Sequence, residues 1–364
     1  MHFIDLKSQY LHYKEKIDAS INRVLDHGQF IMGPEIGQLE KSLAEYIGVD
    51  HCITVASGTD SLEIALRALN VGPGDEVITV PFTWISSAEV ISQVGAKPVF
   101  VDINLSTYNI AVDQIENAIT QRTKAIIAVS LFGQMPDYDA INQVALKYGL
   151  AVIEDAAQSF GATQNGKKSC SVTRVASTSF FPAKPFGCYG DGGALFTCDE
   201  ALAEAMRAIR SHGGIRRHHH THVGMNGRLD TIQAAILTAK FPYFQHEVAE
   251  RGRIGSRYST ALAEHCVIPI VAEGNTHVYA QYTIRLPNRD LVAERLKAKG
   301  IPTAVYYPKC LHEQPVYRSL GYLWGSFPNS EKASREVISL PMGPFLSQAD
   351  QDTVISELIQ EIRK

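Results

Sequence analysis

Short apolar runs rich in β-branched residues alternate with stretches of helical periodicity through the first half of the chain, and this alternation constrains the fold most. The runs are Val77–Val80, Pro98–Val101, Ala125–Val129 and Ala151–Ile153, and one helix-like stretch precedes each: Asp60–Leu69, Ile85–Val94, Val112–Ile119 and Asp137–Tyr148. Successive strands separated by helices pair in parallel through right-handed crossovers. The runs show no alternation of inward and outward residues, as expected of strands buried on both faces. The pattern predicts an α/β fold with a mainly parallel sheet covered on both sides by helices. Ahead of it, residues 35–47 place Ile36, Leu39, Leu43, Tyr46 and Ile47 on one helical face.

The pattern changes near Phe241. A helical stretch, Asp230–Lys240, stops before Pro242 and a charged helix follows through Tyr258. Val278–Leu286 alternates like a strand, Arg289–Lys299 is helical, and Ile301–Tyr307 is extended. This predicts a large domain over residues 1–243 and a smaller α+β domain over residues 244–364. The 364 residues suit two such units.

Composition limits the function. A net charge of −4 gives no basic face for nucleic acid, and no run approaches the length of a membrane span. The six cysteines form no C-x-x-C pair and read as reduced thiols, so a soluble cytoplasmic protein is expected.

Four segments carry chemistry. The strand of AVIEDAAQSFGA (151–162) ends in Glu154-Asp155, at the edge where open α/β sheets bind ligands; Asp155 alone could equally cap a following helix. In STSFFPAKPFGCYGDGGALF (177–196), Lys184 stands between Pro182 and Pro185 and ahead of a glycine cluster. Lysine forms Schiff bases and loses its proton readily when desolvated. Gly58-Thr59 opens a helix, where free N–H groups attract phosphate. Trp84 follows a strand end and offers a flat ring. Pyridoxal phosphate (PLP) needs a lysine, a carboxylate for its ring nitrogen, a phosphate cradle and a stacking ring, and so explains all four at once.

With those residues in view, the chain resembles the sugar aminotransferases of the DegT/DnrJ/EryC1/StrS family, within the aspartate-aminotransferase type, fold type I. The likeness runs from FIDLKSQY to ISLPMGPFLS and includes GPGDEVITVPFTWISSAEVI, EDAAQSFGA, SFFPAKPFGCYGDGGALFT and NGRLDTIQAAIL. It implies that Lys184 binds PLP as a Schiff base and that Asp155 pairs with the ring nitrogen. Trp84 then stacks on the ring, with Gln158 on the other face or near the ring hydroxyl. Gly58, Thr59 and Ser179 hold the phosphate. Asn226 reaches the phosphate bound by the neighbouring subunit of a homodimer with shared sites. Arg228, Tyr307 and His312 are expected to touch substrate, although Tyr306 stands where the family more often has histidine. The expected donor is L-glutamate and the acceptor a nucleotide-linked keto-sugar.

Arg228-Leu229-Asp230 resembles the form found in sugar 3-aminotransferases. Arg210, His212, Arg216, Arg217 and Arg228 concentrate positive charge in a chain of negative net charge. They are either a solvated surface or a site for a diphosphate and a sugar carboxylate. Together these features predict a UDP-linked 2-acetamido-3-keto-uronic acid, aminated at C3. Leu229, Ile232, Ala235, Ile236 and Ala239 are expected to form an apolar face towards a partner subunit. His218–His220 are adjacent in an irregular segment and are not expected to bind metal.

Overall fold

A computed structural model describes residues 1–216 and 218–364. Seven strands form the main sheet: β1 (His51–Val55), β2 (Glu76–Thr79), β3 (Lys97–Phe100), β4 (Thr123–Val129), β5 (Ala151–Asp155), β6 (Val175–Ser179) and β7 (Gly193–Thr197). Their spatial order is β1-β7-β6-β5-β4-β2-β3, and β7 alone runs antiparallel to both its neighbours. The expected parallel sheet of fold type I is therefore present. Its C-terminal strand ends collect Val55, Thr79, Val129, Asp155 and Ser179 on one edge.

The described residues form twelve α-helices: α1 (Leu6–His27), α2 (Pro34–Ile47), α3 (Gly58–Ala68), α4 (Ser86–Gln93), α5 (Val112–Ala118), α6 (Tyr138–Tyr148), α7 (Glu200–Arg210), α8 (Thr231–Lys240), α9 (Phe244–Leu262), α10 (Arg289–Ala298), α11 (Pro328–Glu336) and α12 (Gln348–Ile362). The predicted face of α2 is the buried one: Ile36, Leu39, Leu43 and Ile47 pack with Phe160, Phe180 and Phe196. Ser57 caps α3 and Asp137 caps α6 through side-chain acceptance of a backbone N–H.

A second core lies beyond residue 250. Ile254, Tyr258 and Leu262 of α9 pack with α10, α12 and two strands, β8 (Tyr282–Arg285) and β9 (Val337–Leu340). Phe244, at the start of α9, belongs to the first core, so this helix serves both. The strand expected over Val278–Leu286 forms only at Tyr282–Arg285. The Val278 N–H instead donates to Gly133 at 2.9 Å, and Tyr279 adopts a left-handed φ of 44°.

The apolar face of α8 meets α1, not open solvent. Ile236 is buried with Tyr13 and Ile17, and Ile232 and Ala239 pack around them. Leu229 and Ala235 are buried as well. The expectation that this face awaits a partner subunit is corrected: the chain covers it with its own first helix.

Candidate active site

Asp155 ends β5 and is 6% exposed. No helix follows it directly, so the capping alternative falls away; residues 157–161 form turns. Its Oδ2 accepts from the Ser87 hydroxyl at 2.8 Å and its Oδ1 from the Ala157 N–H at 3.2 Å. Burial raises its pKa above the ordinary carboxylate value, opposed by the Ser87 and Ala157 hydrogen bonds and by the Lys184 charge. The carboxylate is thus fixed in place and short of a full countercharge.

Lys184 lies in the loop between β6 and β7. Its backbone N–H donates to Phe181 at 2.9 Å, and the loop closes through Cys188 N–H to Phe180 at 2.7 Å. Gly187 lets the turn close: a Cβ there would stand 2.5 Å from the Pro182 carbonyl oxygen. Burial lowers the Lys184 pKa, and the Asp155 charge partly restores it. A lysine so placed gives up its proton more readily, as attack on an aldehyde requires. Pro182 and Lys184 also line, with Met1–Leu6 and the 342–346 loop, a cavity of about 40 Å³.

The α3 N-terminus meets the same edge. A Cβ at Gly58 would lie 2.7 Å from Ser179 Cβ, so the first turn of α3 sits directly against Ser179. Thr59 Oγ1 is 2.7 Å from Ser86 Oγ, which ties the starts of α3 and α4 together. Free N–H groups flanked by the hydroxyls of Thr59 and Ser179 suit a phosphate. Trp84, just before α4, is 58% exposed, with its ring centroid 6.1 Å from that of Tyr307. Gln158 is buried, its Oε1 accepting from Phe132 N–H at 2.8 Å and its Nε2 donating to the Tyr307 hydroxyl at 3.2 Å. Gln158 and Tyr307 therefore fix each other.

The remaining expected residues divide. Arg228 is half-buried, and its Nε has no partner among the described residues. Asn226 is exposed and adjoins Gly227, whose carbonyl accepts from Ala56 N–H at 2.9 Å beside the α3 start. His312 is 3% exposed and closed against Phe327, with Nε2 3.2 Å from Glu331 Oε1. Arg210 is corrected. It is 5% exposed and donates to Glu40 Oε1 at 2.6 Å and to the Thr54 carbonyl at 2.9 Å, joining α7, α2 and β1. Arg216 is exposed on a hairpin with His219 and His220, and Arg217 lies outside the described residues. Among the described residues no three potential ligands converge on a metal position.

Two contributors escaped the sequence reading: Ser87, which braces Asp155, and Ser86, which bonds Thr59. The only signal was two small hydroxyl residues at a helix start just after Trp84.

A desolvated lysine and a buried carboxylate beneath a helix N-terminus, at the strand ends of this sheet, define an enzyme that works on carbonyl and amino groups through a bound phosphorylated cofactor. The model of the DegT/DnrJ/EryC1/StrS aminotransferase family matches residues 12–359, and the chain belongs to that family. It is 52% identical over 357 residues to the UDP-2-acetamido-2-deoxy-3-oxo-D-glucuronate aminotransferase of Pseudomonas aeruginosa, covering 98% of this chain and 99% of the relative. DesV of S. venezuelae, solved in complex with a ketimine intermediate, superposes with a TM-score of 0.98 at 37% identity, over 100% of this chain and 98% of that one. NtdA of Bacillus subtilis, solved with bound cofactor PMP, gives a TM-score of 0.91 at 33% identity, over 97% and 82% of the two chains.

Proposed function

We propose that this enzyme uses PLP to move an amino group from L-glutamate to a UDP-linked 2-acetamido-3-keto-uronic acid at C3, a step towards a surface polysaccharide. The observation that carries the reading is the grouping at the strand ends: Asp155, buried and braced by Ser87, with Lys184 in the loop that follows Ser179, each charge acting on the other. The donor set fits the cofactor: an amine that deprotonates readily, a fixed carboxylate short of a full countercharge, and a helix N-terminus lined by hydroxyls.

When bound, PLP supplies an electron sink for the bond broken at the amino-bearing carbon. Asp155 would keep the proton on the ring nitrogen, and Ser87 would keep Asp155 charged and aimed. Gly58, Thr59 and Ser179 would hold the phosphate, and Trp84 would cover one ring face. Gln158, fixed to Tyr307, would bound the other. Lys184 would take a proton from the substrate carbon and return it to the cofactor side as general base and acid.

Arg228, whose Nε is unpartnered among the described residues, is the residue proposed to meet the sugar carboxylate or the diphosphate. Arginine suits either because its planar fork binds both in a bidentate way. A homodimer with shared sites is proposed, with Asn226 reaching the partner's phosphate site. Its support is the exposure of Asn226 and of Phe30, Ile31 and Met32 beside the start of α8. No helix among the described residues is long and apolar enough to cross a membrane. A cytoplasmic location is proposed because nucleotide sugars are made there.

The test compares the 3-keto-uronate, the neutral 3-keto-hexose and a 4-keto-hexose on UDP and dTDP, each with L-glutamate. Preference for the UDP 3-keto-uronate is expected. Preference for a neutral sugar would remove the carboxylate, and turnover of the 4-keto sugar alone would overturn the regiochemistry.

A further inference from the structure

Behind the Lys184 loop lies a buried cationic group with no part in the scheme above. Lys240 is the last residue of α8 and is 3% exposed. Its ammonium donates to the carbonyl of Gly187 and stands 5.1 Å above the Tyr189 ring. Gly187 is the residue whose tight approach to Pro182 closes the turn carrying Lys184. One turn of 3-10 helix after Lys240, α9 begins and carries Glu247 and Arg251, both buried, towards the second core.

From these contacts we infer that Lys240 is a positioning residue for Lys184, its ammonium clasping the Gly187 carbonyl so that the PLP-binding loop is held to the joint between the two cores. The inference deepens the PLP reading and rests on it.

The surroundings explain why a lysine in this place is sensitive to pH. Two elements bear on its ammonium, and a third on the carboxylate that attracts it. α9 presents Glu247, which attracts it, and Arg251, which repels it; the loop presents Cys188 and Tyr189. α1 presents Gln9, whose amide donates to both Glu247 oxygens at 3.1 and 3.0 Å, and Tyr13, which also faces that carboxylate. Glu247 is thus shared among several donors, and it leaves Lys240 only partly compensated. Burial brings the Lys240 pKa down to about 8, with Glu247 opposing the fall. Below that pH the group is charged and its bond to Gly187 is charge-assisted; above it the bond becomes an ordinary amine contact. The clasp therefore weakens as pH rises through about 8.

The test measures PLP affinity by absorbance, after removal of the cofactor, for wild type, Lys240→Met and Lys240→Arg between pH 6.5 and 9.5. At pH 7, Lys240→Met is expected to bind PLP about ten- to a hundredfold more weakly, the effect of losing one charge-assisted hydrogen bond. The difference should shrink as pH rises through about 8, because wild type loses the same charge. Lys240→Arg stays charged and should show no such alkaline weakening relative to wild type. A Met variant equal to wild type, or a difference that stays constant across the range, overturns the inference. If the Met variant does not fold, an Arg variant whose alkaline decline matches wild type overturns it. Failure of wild type to bind PLP at any pH would instead sink the reading on which the inference rests.

Discussion

Replacing Ser87 by alanine is a direct probe of how the site keeps Asp155 charged. Ser87 is 1% exposed, and its hydroxyl donates to Asp155 at 2.8 Å with Thr83 Oγ1 3.2 Å away. A hydrogen bond to a charged group contributes about 1.5–3 kcal/mol, and about 1.36 kcal/mol corresponds to one pH unit of titration. The Asp155 pKa already lies above the ordinary value because burial disfavours the charge, and Ser87 is the largest opposing influence. Its removal moves the titration further up. Only the charged carboxylate can hold a proton on a ring nitrogen, so the acid limb of kcat/KM for L-glutamate should rise by about one to two pH units. The rate on the alkaline side of that limb should change little.

Stability gives an independent reading. An Asp titrating higher in the folded than in the unfolded chain destabilises the fold as pH rises through that window. The cofactor-free variant should therefore unfold at lower temperature than wild type near pH 8, and the two should converge towards pH 4. An unmoved acid limb, together with a pH-independent difference in unfolding temperature, would refute the bracing role of Ser87.

Two further outcomes are expected. Borohydride reduction of the PLP-loaded enzyme should fix the cofactor to the peptide holding Lys184, and Lys184→Ala should lose transamination while keeping its circular dichroism; label on Lys167 or Lys168 would refute the assignment. Mixing Lys184→Ala chains with Asn226→Ala/Arg228→Ala chains should restore activity in the mixed dimers, at most about a quarter of wild type if one intact site forms per mixed dimer and chains pair at random; a monomer fully active by sedimentation and assay would refute the shared site.

The sheet was legible wherever burial on both faces forced continuous apolar runs. β2, β3, β4 and β5 each fall within a few residues of their predicted limits. β6 and β7 were not read as strands, because Val175–Ser179 and Gly193–Thr197 are built largely from small and hydroxyl residues. Those residues are small because the site lies at their ends: Ser179 packs against Gly58, and bulk there would fill the phosphate cradle. α1 went unread for a different reason. Its buried positions, Gln9, Tyr13, Ile17, Ser20 and Val24, are sparse and partly polar, so no apolar stripe stands out among its charges.

The harder failure concerns charge. Arg210, Arg228 and Lys240 look alike in the sequence, each a cation near an apolar stretch, yet they meet three fates. Arg210 faces Glu40, from a helix some 170 positions away, and becomes a pin within the large core. Arg228 is half-buried and forms no ion pair among the described residues, and it is the one proposed to meet an anion. Lys240 finds a backbone carbonyl in the loop of Lys184. What separates them is whether the fold supplies an acceptor at the point where the side chain is desolvated, and long-range pairing alone decides that. The cluster of cations in the sequence makes Arg210 and Arg228 candidates for substrate, and Lys240 stands outside it; the placement of Glu40 removes Arg210. The same reasoning explains why Lys184 and Asp155 were readable together. Each is costly to bury alone, and a chain that places both at one sheet edge, with neither fully compensated, keeps a place for a ligand that completes the pair.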